Sequence, residues 1–240
     1  MALSLGGTAT DPWSTILDQD WVSDSQQSIE FSHTDSVVRG RMFLGDLSLR
    51  VGGAIRRGDG FAVAFVTGFR YERLAYEAYG VEGWQFDGRR RIPVSVPADS
   101  FHGGDYTSHR FLPRAGIQFR FERGPFQLEC DLSPLLAIVK DTDDHVYRRK
   151  VAEATSVGLG VLLHLSPRLR LTPARARTAV SLVVDAEVRY LNTAGTLHQH
   201  YYGDDPSIPG DQTGIVIPDS TTYGDSSTSW LFTAGVVTGF

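Results

Sequence analysis

Residues 61–71 read Phe61-Ala62-Val63-Ala64-Phe65-Val66-Thr67-Gly68-Phe69-Arg70-Tyr71, and this stretch decides the fold. Its odd positions are large, apolar or aromatic apart from Thr67, while its even positions are small or polar apart from Val66. Period two marks a strand with two unlike faces, because successive side chains point to opposite sides. The pattern recurs further along. Ile117, Phe119 and Phe121 alternate with Gln118, Arg120 and Glu122. After the turn Glu122-Arg123-Gly124-Pro125, Phe126, Leu128, Cys130 and Leu132 alternate with Gln127, Glu129, Asp131 and Ser133, which reads as a hairpin. Val180, Leu182, Val184, Ala186, Val188 and Tyr190 then alternate with a face that carries Asp185, Glu187 and Arg189.

Alternation alone fits two architectures. A soluble sandwich turns its apolar face inward, whereas a membrane barrel turns it toward lipid and keeps a charged, hydrated lumen. Strand length and loop asymmetry favour the barrel. The runs reach about ten residues, as a tilted membrane strand requires. Tight turns such as Arg57-Gly58-Asp59-Gly60 alternate with long polar stretches at 11–33, 77–107, 141–149 and 193–227. The last of these contains a Gly-, Asp- and Ser-rich segment, 203–228, that reads as a mobile surface loop. The chain closes with Trp230, Phe232, Ala234, Val236 and Phe240 on one parity, which resembles the last strand of bacterial outer-membrane barrels. The expected fold is therefore all-β, an antiparallel transmembrane barrel with about eight strands.

Composition sets outer bounds. The chain has 240 residues, 41% of them hydrophobic and 25 of them glycine, which suits one strand-rich domain over residues 1–240. No stretch approaches the roughly eighteen apolar residues of a membrane helix, and that leaves a barrel open. A net charge of -5 without a basic stripe gives no support for nucleic-acid binding. The single Cys130 cannot form an internal disulfide. The start, Met-Ala-Leu-Ser-Leu-Gly-Gly, lacks the charged and apolar segments of a signal peptide.

Two acidic clusters carry the candidate chemistry: Leu17-Asp18-Gln19-Asp20-Trp21 and Asp141-Thr142-Asp143-Asp144-His145. Either alone reads as solvated turn chemistry. At the same end of a barrel they would face one mouth. In an extended segment Asp143 and His145 share a face, as do Asp18 and Asp20. A carboxylate beside a histidine fixes its tautomer and strengthens it as a base. Two crowded carboxylates cannot both ionise freely, so one of Asp18 and Asp20 can hold a proton and position water opposite the histidine. His198 and His200 share a strand face too, but no third metal ligand is evident and they read as loop residues.

These motifs resemble those of the omptins, the ten-stranded aspartyl-type outer-membrane proteases of Gram-negative bacteria. Asp18-Gln19-Asp20-Trp21 is similar to the family's Asp-Gln-Asp-Trp motif, and residues 141–145 are similar to its Asp-Asn-Asp-Glu-His motif. Looser similarity covers residues 68–73, Arg110-Phe111-Leu112-Pro113 and the ending. The resemblance implies an endopeptidase that cuts near basic residues without metal or covalent intermediate. Asp143 and His145 would be the water-activating dyad, and Asp18 and Asp20 the opposing pair. Asp141 would lie in the pocket for a basic side chain. Arg73 and Arg110 would bind the phosphates of lipopolysaccharide, on which the family's activity depends; no other cofactor is implied. The implied location is the outer membrane with the site facing the cell exterior, and the implied partners are basic peptides or proteins. The chain departs from the family at residues 27–34, where His33 persists, and at Phe69 and Tyr71 of the lipopolysaccharide site. Residues 1–10 match the family's third strand, so the signal peptide, two strands and the first loop, with its further acidic pocket residue, are expected to be missing. The competing expectation is a non-catalytic barrel of the same fold, acting as an adhesin or structural surface protein.

Overall fold

The structure, a computed structural model, describes residues 2–7, 13–23, 28–56, 60–86, 90–97, 102–146, 148–173, 178–205, 210–217 and 222–239. Eleven strands form among them: β1 (Ala2–Gly7), β2 (Trp13–Ser23), β3 (Ser28–Arg56), β4 (Phe61–Phe86), β5 (Arg91–Val96), β6 (His102–Arg123), β7 (Phe126–His145), β8 (Lys150–Arg170), β9 (Ala179–Tyr201), β10 (Val216–Ile217) and β11 (Thr222–Gly239). All join one antiparallel sheet. β1 and β2 lie end to end along β3, β5 and β6 along β4, and β10 and β11 along β9. The eleven strands therefore fill eight columns, in the order β1 with β2, β3, β4, β5 with β6, β7, β8, β9, β10 with β11. Among the described residues no pairing joins the first column to the last.

The sheet curls nevertheless, because side chains of β4 meet those of β9 four columns away. Arg70 donates to Glu187 through both terminal nitrogens, at 2.6 Å for Nη2 to Oε2, and Arg189 donates to Glu72. The concave face is polar as well as packed. Arg70 Nε donates to Asp46 at 2.9 Å, Arg114 reaches the same carboxylate at 3.2 Å, and Asp131 lies 3.7 Å from Arg114. Beside this charged cluster, Leu112, Leu135, Ala137, Val139, Leu162 and Leu191 form a small buried apolar layer. A cavity of about 650 Å³ borders the cluster, lined in part by His164, Asp185 and Glu129.

The convex face is the apolar one. Phe65, Phe69, Ile117, Phe119, Leu132, Leu163, Leu182, Trp230 and Phe232 are all exposed there. Water would penalise such a surface, and lipid would not. On β6 the band runs from Phe111 to Phe121, opposite Tyr71 and Phe61 of β4. Those eleven residues span about 33 Å along the strand and about 25 Å across a bilayer at a typical barrel tilt. Aromatic rings crowd both limits: Tyr71 lies 5.3 Å from Phe111 at one end and Phe61 lies 6.5 Å from Phe119 at the other, between ring centroids. Ile117 sits near mid-band, so Ile117→Arg is expected to cost about 2–4 kcal/mol in lipid vesicles. An unchanged urea midpoint would contradict the assignment of this face to lipid.

The two ends differ. At the tight end β6 turns directly into β7, with Gly124 at φ 59° before Pro125, a conformation that glycine adopts without strain. At the other end the strands outrun the apolar band. Strands run into all four stretches read from sequence as connections, 11–33, 77–107, 141–149 and 193–227: β2 spans Trp13–Ser23, β4 continues to Phe86, β6 begins at His102, β7 runs to His145 and β9 reaches Tyr201. Of the segment read as a mobile loop, 203–228, the described residues 203–205 and 210–215 lie outside strands, whereas Val216–Ile217 and the part from Thr222 are strand. β11 starts at Thr222, and Tyr201 binds Ile215 and Gly214 through backbone bonds of 2.9 Å. Beyond the bilayer both faces meet water, so the ladder continues while the apolar alternation fades.

Candidate functional site

The end of β7 carries the site. Antiparallel pairing sets Asp141 opposite Ser108 and Ala154, Asp143 opposite Tyr106 and Ala152, and His145 opposite Lys150. Odd positions of β7 face the lumen, as the burial of Asp131, Ser133, Leu135, Ala137, Val139 and Asp141 records. Asp143 and His145 continue that parity to the mouth, where their side chains are 44% and 34% exposed and so open to water and substrate. His145 Nε2 lies 3.2 Å from Asp143 Oδ2. With Nε2 turned to the carboxylate, Nδ1 remains available as a base.

Asp141 lies one step deeper, 6% exposed. Tyr106 donates to its Oδ1 at 2.9 Å, and Tyr223, arriving from β11 on the last column, donates to its Oδ2 at 2.7 Å. Burial and then the Asp141 charge hold the Tyr106 phenol far above the ordinary tyrosine range, so it stays a neutral donor. Tyr76 stacks on Tyr106 with centroids 4.8 Å apart. Among the described residues no cation pairs with Asp141. The carboxylate therefore presents a charge toward the lumen that two neutral hydroxyls orient and do not neutralise. These tyrosines escaped the sequence reading, since Tyr223 is 82 positions from Asp141 and only the curl of the sheet joins them.

Asp18 and Asp20 lie on β2, opposite Thr34 and Ser32 of β3, with a bulge after Asp20. β2 rises toward the end of the sheet at which β7 finishes, and stands four columns from β7. The side chains of Asp18 and Asp20 lie outside the described residues.

Arg73 and Arg110 fall on opposite faces. Arg110 pairs with Glu72 and Val139, both buried on the concave side, so it shares their lumenal parity. Arg73 is exposed on the convex side, one row beyond Tyr71, and its lateral neighbours are His109 and then Lys140. His109 Nδ1 lies 2.8 Å from the Tyr71 hydroxyl. A row of basic side chains thus borders the aromatic limit of the apolar band. Arg73 also lines a cavity of about 430 Å³ with Arg39, Arg41, Glu77 and Asp105. His198 and His200, 6.2 Å apart between ring centroids, lie opposite Glu153 and Val151. Among the described residues no three His, Cys, Asp or Glu side chains are grouped to hold a metal ion.

Comparison with known proteins identifies the fold. No family profile matches the chain, and no curated protein does. Among solved structures, the chain is similar to the outer membrane protease OmpT from Escherichia coli, with 15% identity and a TM-score of 0.73. That likeness covers 98% of this chain and 77% of the other. The architecture is accordingly that of an antiparallel transmembrane β-barrel.

Proposed function

We propose that this protein is a bacterial outer-membrane endopeptidase that hydrolyses peptide bonds near basic residues, with its site facing the cell exterior. The contact of His145 with Asp143 at the mouth, one step above buried Asp141, carries the reading. The fold it shares with an outer membrane protease supports it. His145 takes a proton from water as the oxygen attacks the scissile carbonyl, then returns it to the leaving amine. Asp143 holds the imidazole in place and stabilises its charged form. Asp18 and Asp20, on the first column, are the proposed pair that holds the water. Asp141 accepts the substrate's basic side chain, and Tyr106 and Tyr223 aim its oxygens.

Lipopolysaccharide is the proposed activator. The basic row of Arg73, His109 and Lys140 lies where lipid phosphates meet the barrel wall, and Arg73 offers them a forked donor. Arg110, on the lumenal parity, is left out of that lipid site. Cleavage of a dibasic peptide in vesicles, measured against lipopolysaccharide concentration, tests both statements. Arg73→Ala is expected to raise the half-activating concentration about tenfold or more, since a charge-assisted bond contributes about 1.5–3 kcal/mol. Arg110→Ala is expected to leave that concentration unchanged. A reversal of the two results would move the lipid site to Arg110, and no cleavage at any lipid concentration would remove the proposed activity.

A further inference from the structure

The turn that leaves the dyad is gripped by a segment from elsewhere in the chain. His145 is the last residue of β7 and pairs with Lys150, the first of β8, so Val146, Arg148 and Arg149 between them bear on how its strand end lies. Within the turn, Val146 N donates to Asp144 O at 3.0 Å and Arg149 N donates to Val146 O at 3.3 Å. Arg149 adopts φ 49°, alone among the described non-glycine residues in having a positive φ. Such a conformation persists where the surroundings over-determine it.

The chain after β9 supplies those surroundings. Tyr202 N donates to Arg149 O at 2.8 Å, and the Tyr202 hydroxyl donates to Asp144 Oδ1 at 2.9 Å. A Cβ on Gly203 would lie 2.6 Å from Arg149 Cδ, so a bare backbone there admits the Arg149 stem. Arg148 Nε donates to Asp205 Oδ2 at 3.0 Å; the Asp205 side chain is 0% exposed and that of Arg148 is 32% exposed. Asp205 is itself fixed, its N–H donating to Gln212 Oε1 at 3.0 Å, and Gln212 is buried. A fully buried carboxylate is costly unless paired and hydrogen-bonded. Here it anchors a half-exposed arginine three positions beyond the candidate base.

We propose that Arg148 and Asp205 are positioning residues for the dyad: Asp205 anchors the turn through Arg148 and so holds His145 against Asp143. The proposal rests on the hydrolytic reading of the site. It adds a requirement, because neither residue belongs to the acidic motifs and the Asp205 side chain is fully buried. Cleavage depends on the anchor because a displacement of about 1 Å at a reacting group can cost on the order of 100-fold in rate.

The test compares kcat and KM for a dibasic peptide, together with amide hydrogen exchange over residues 144–150, in wild type, Asp205→Asn, Arg148→Ala and Arg148→Lys. Asp205→Asn and Arg148→Ala are expected to lower kcat about 10- to 100-fold with KM changed less than about twofold, and to speed exchange in the turn. Arg148→Lys, which keeps the charge, is expected to recover most of kcat. Should Asp205→Asn fail to fold, the pair of Arg148 variants decides, since that side chain is partly exposed. Unchanged kcat, a rise confined to KM, or no recovery with lysine would overturn the proposal while leaving the hydrolytic reading intact. A wild-type protein that cleaves nothing would overturn both.

Discussion

His145→Ala is expected to lower kcat for a dibasic peptide by roughly 10²–10⁴-fold, the range that a positioned general base contributes. KM is expected to change little, because the proposed pocket acid, Asp141, stays in place two lumenal positions deeper on β7. The fold should survive. The side chain of His145 is 34% exposed at the mouth, and its removal empties no packed space. Unfolding midpoints within error of wild type, together with lost turnover, would place the effect in chemistry. Turnover that persisted at wild-type rate would remove His145 from the mechanism.

The second large effect concerns the wall of the barrel. Arg70 and Glu72 are 6% and 4% exposed, and their partners Glu187 and Arg189 come from the far side of the lumen. Arg70→Met strands the carboxylate of Glu187 in a buried setting and leaves Asp46 with Arg114 alone, and is expected to cost about 3–5 kcal/mol. Removing both members of one pair is a gentler change. Glu72→Leu with Arg189→Met should cost less than either substitution alone, because no buried charge is left without its partner. Urea unfolding in lipid vesicles measures both. A double variant as damaged as the sum of its parts would show that the two residues do not act as a pair.

The transmembrane part of the fold was legible because lipid and lumen impose opposite demands on alternate residues. Residues 61–71, 117–121, 126–132 and 180–190 therefore announced their strands, and the parity of Trp230, Phe232, Ala234 and Val236 placed the last one. The expected number of strands, about eight, matches the columns of the sheet, although those columns hold eleven separate strands. Strand ends beyond the bilayer were illegible for the same reason. Residues 77–86 and 102–107 lie beyond the apolar band, so no lipid-facing alternation marks them although β4 and β6 continue through them.

Part of the candidate site was legible too. A spacing of two brought Asp143 and His145 to one face, and the structure sets them in contact. Motif similarity carries no parity, however, and a shift of one residue changes the face of a strand. Arg110 and His109 illustrate this: the motif selected the lumenal arginine, while the register puts the histidine beside Arg73. Contacts across the curl had no sequence signal at all. Tyr223 with Asp141, Arg148 with Asp205 and Arg70 with Glu187 join positions 82, 57 and 117 residues apart.

The central claim is that Asp143 and His145 together activate water. Its most direct test is the rate of dibasic-peptide cleavage by wild type and Asp143→Asn in vesicles containing lipopolysaccharide. The amide conserves size, but it replaces one acceptor oxygen with a donor and removes the charge that orients and supports the imidazole. Wild type is expected to cleave next to the basic residues, and Asp143→Asn to lose roughly 10²–10⁴-fold in kcat with KM nearly unchanged. Equal rates for the two proteins, or no cleavage by wild type, would contradict the account and leave a non-catalytic barrel as the reading of this fold.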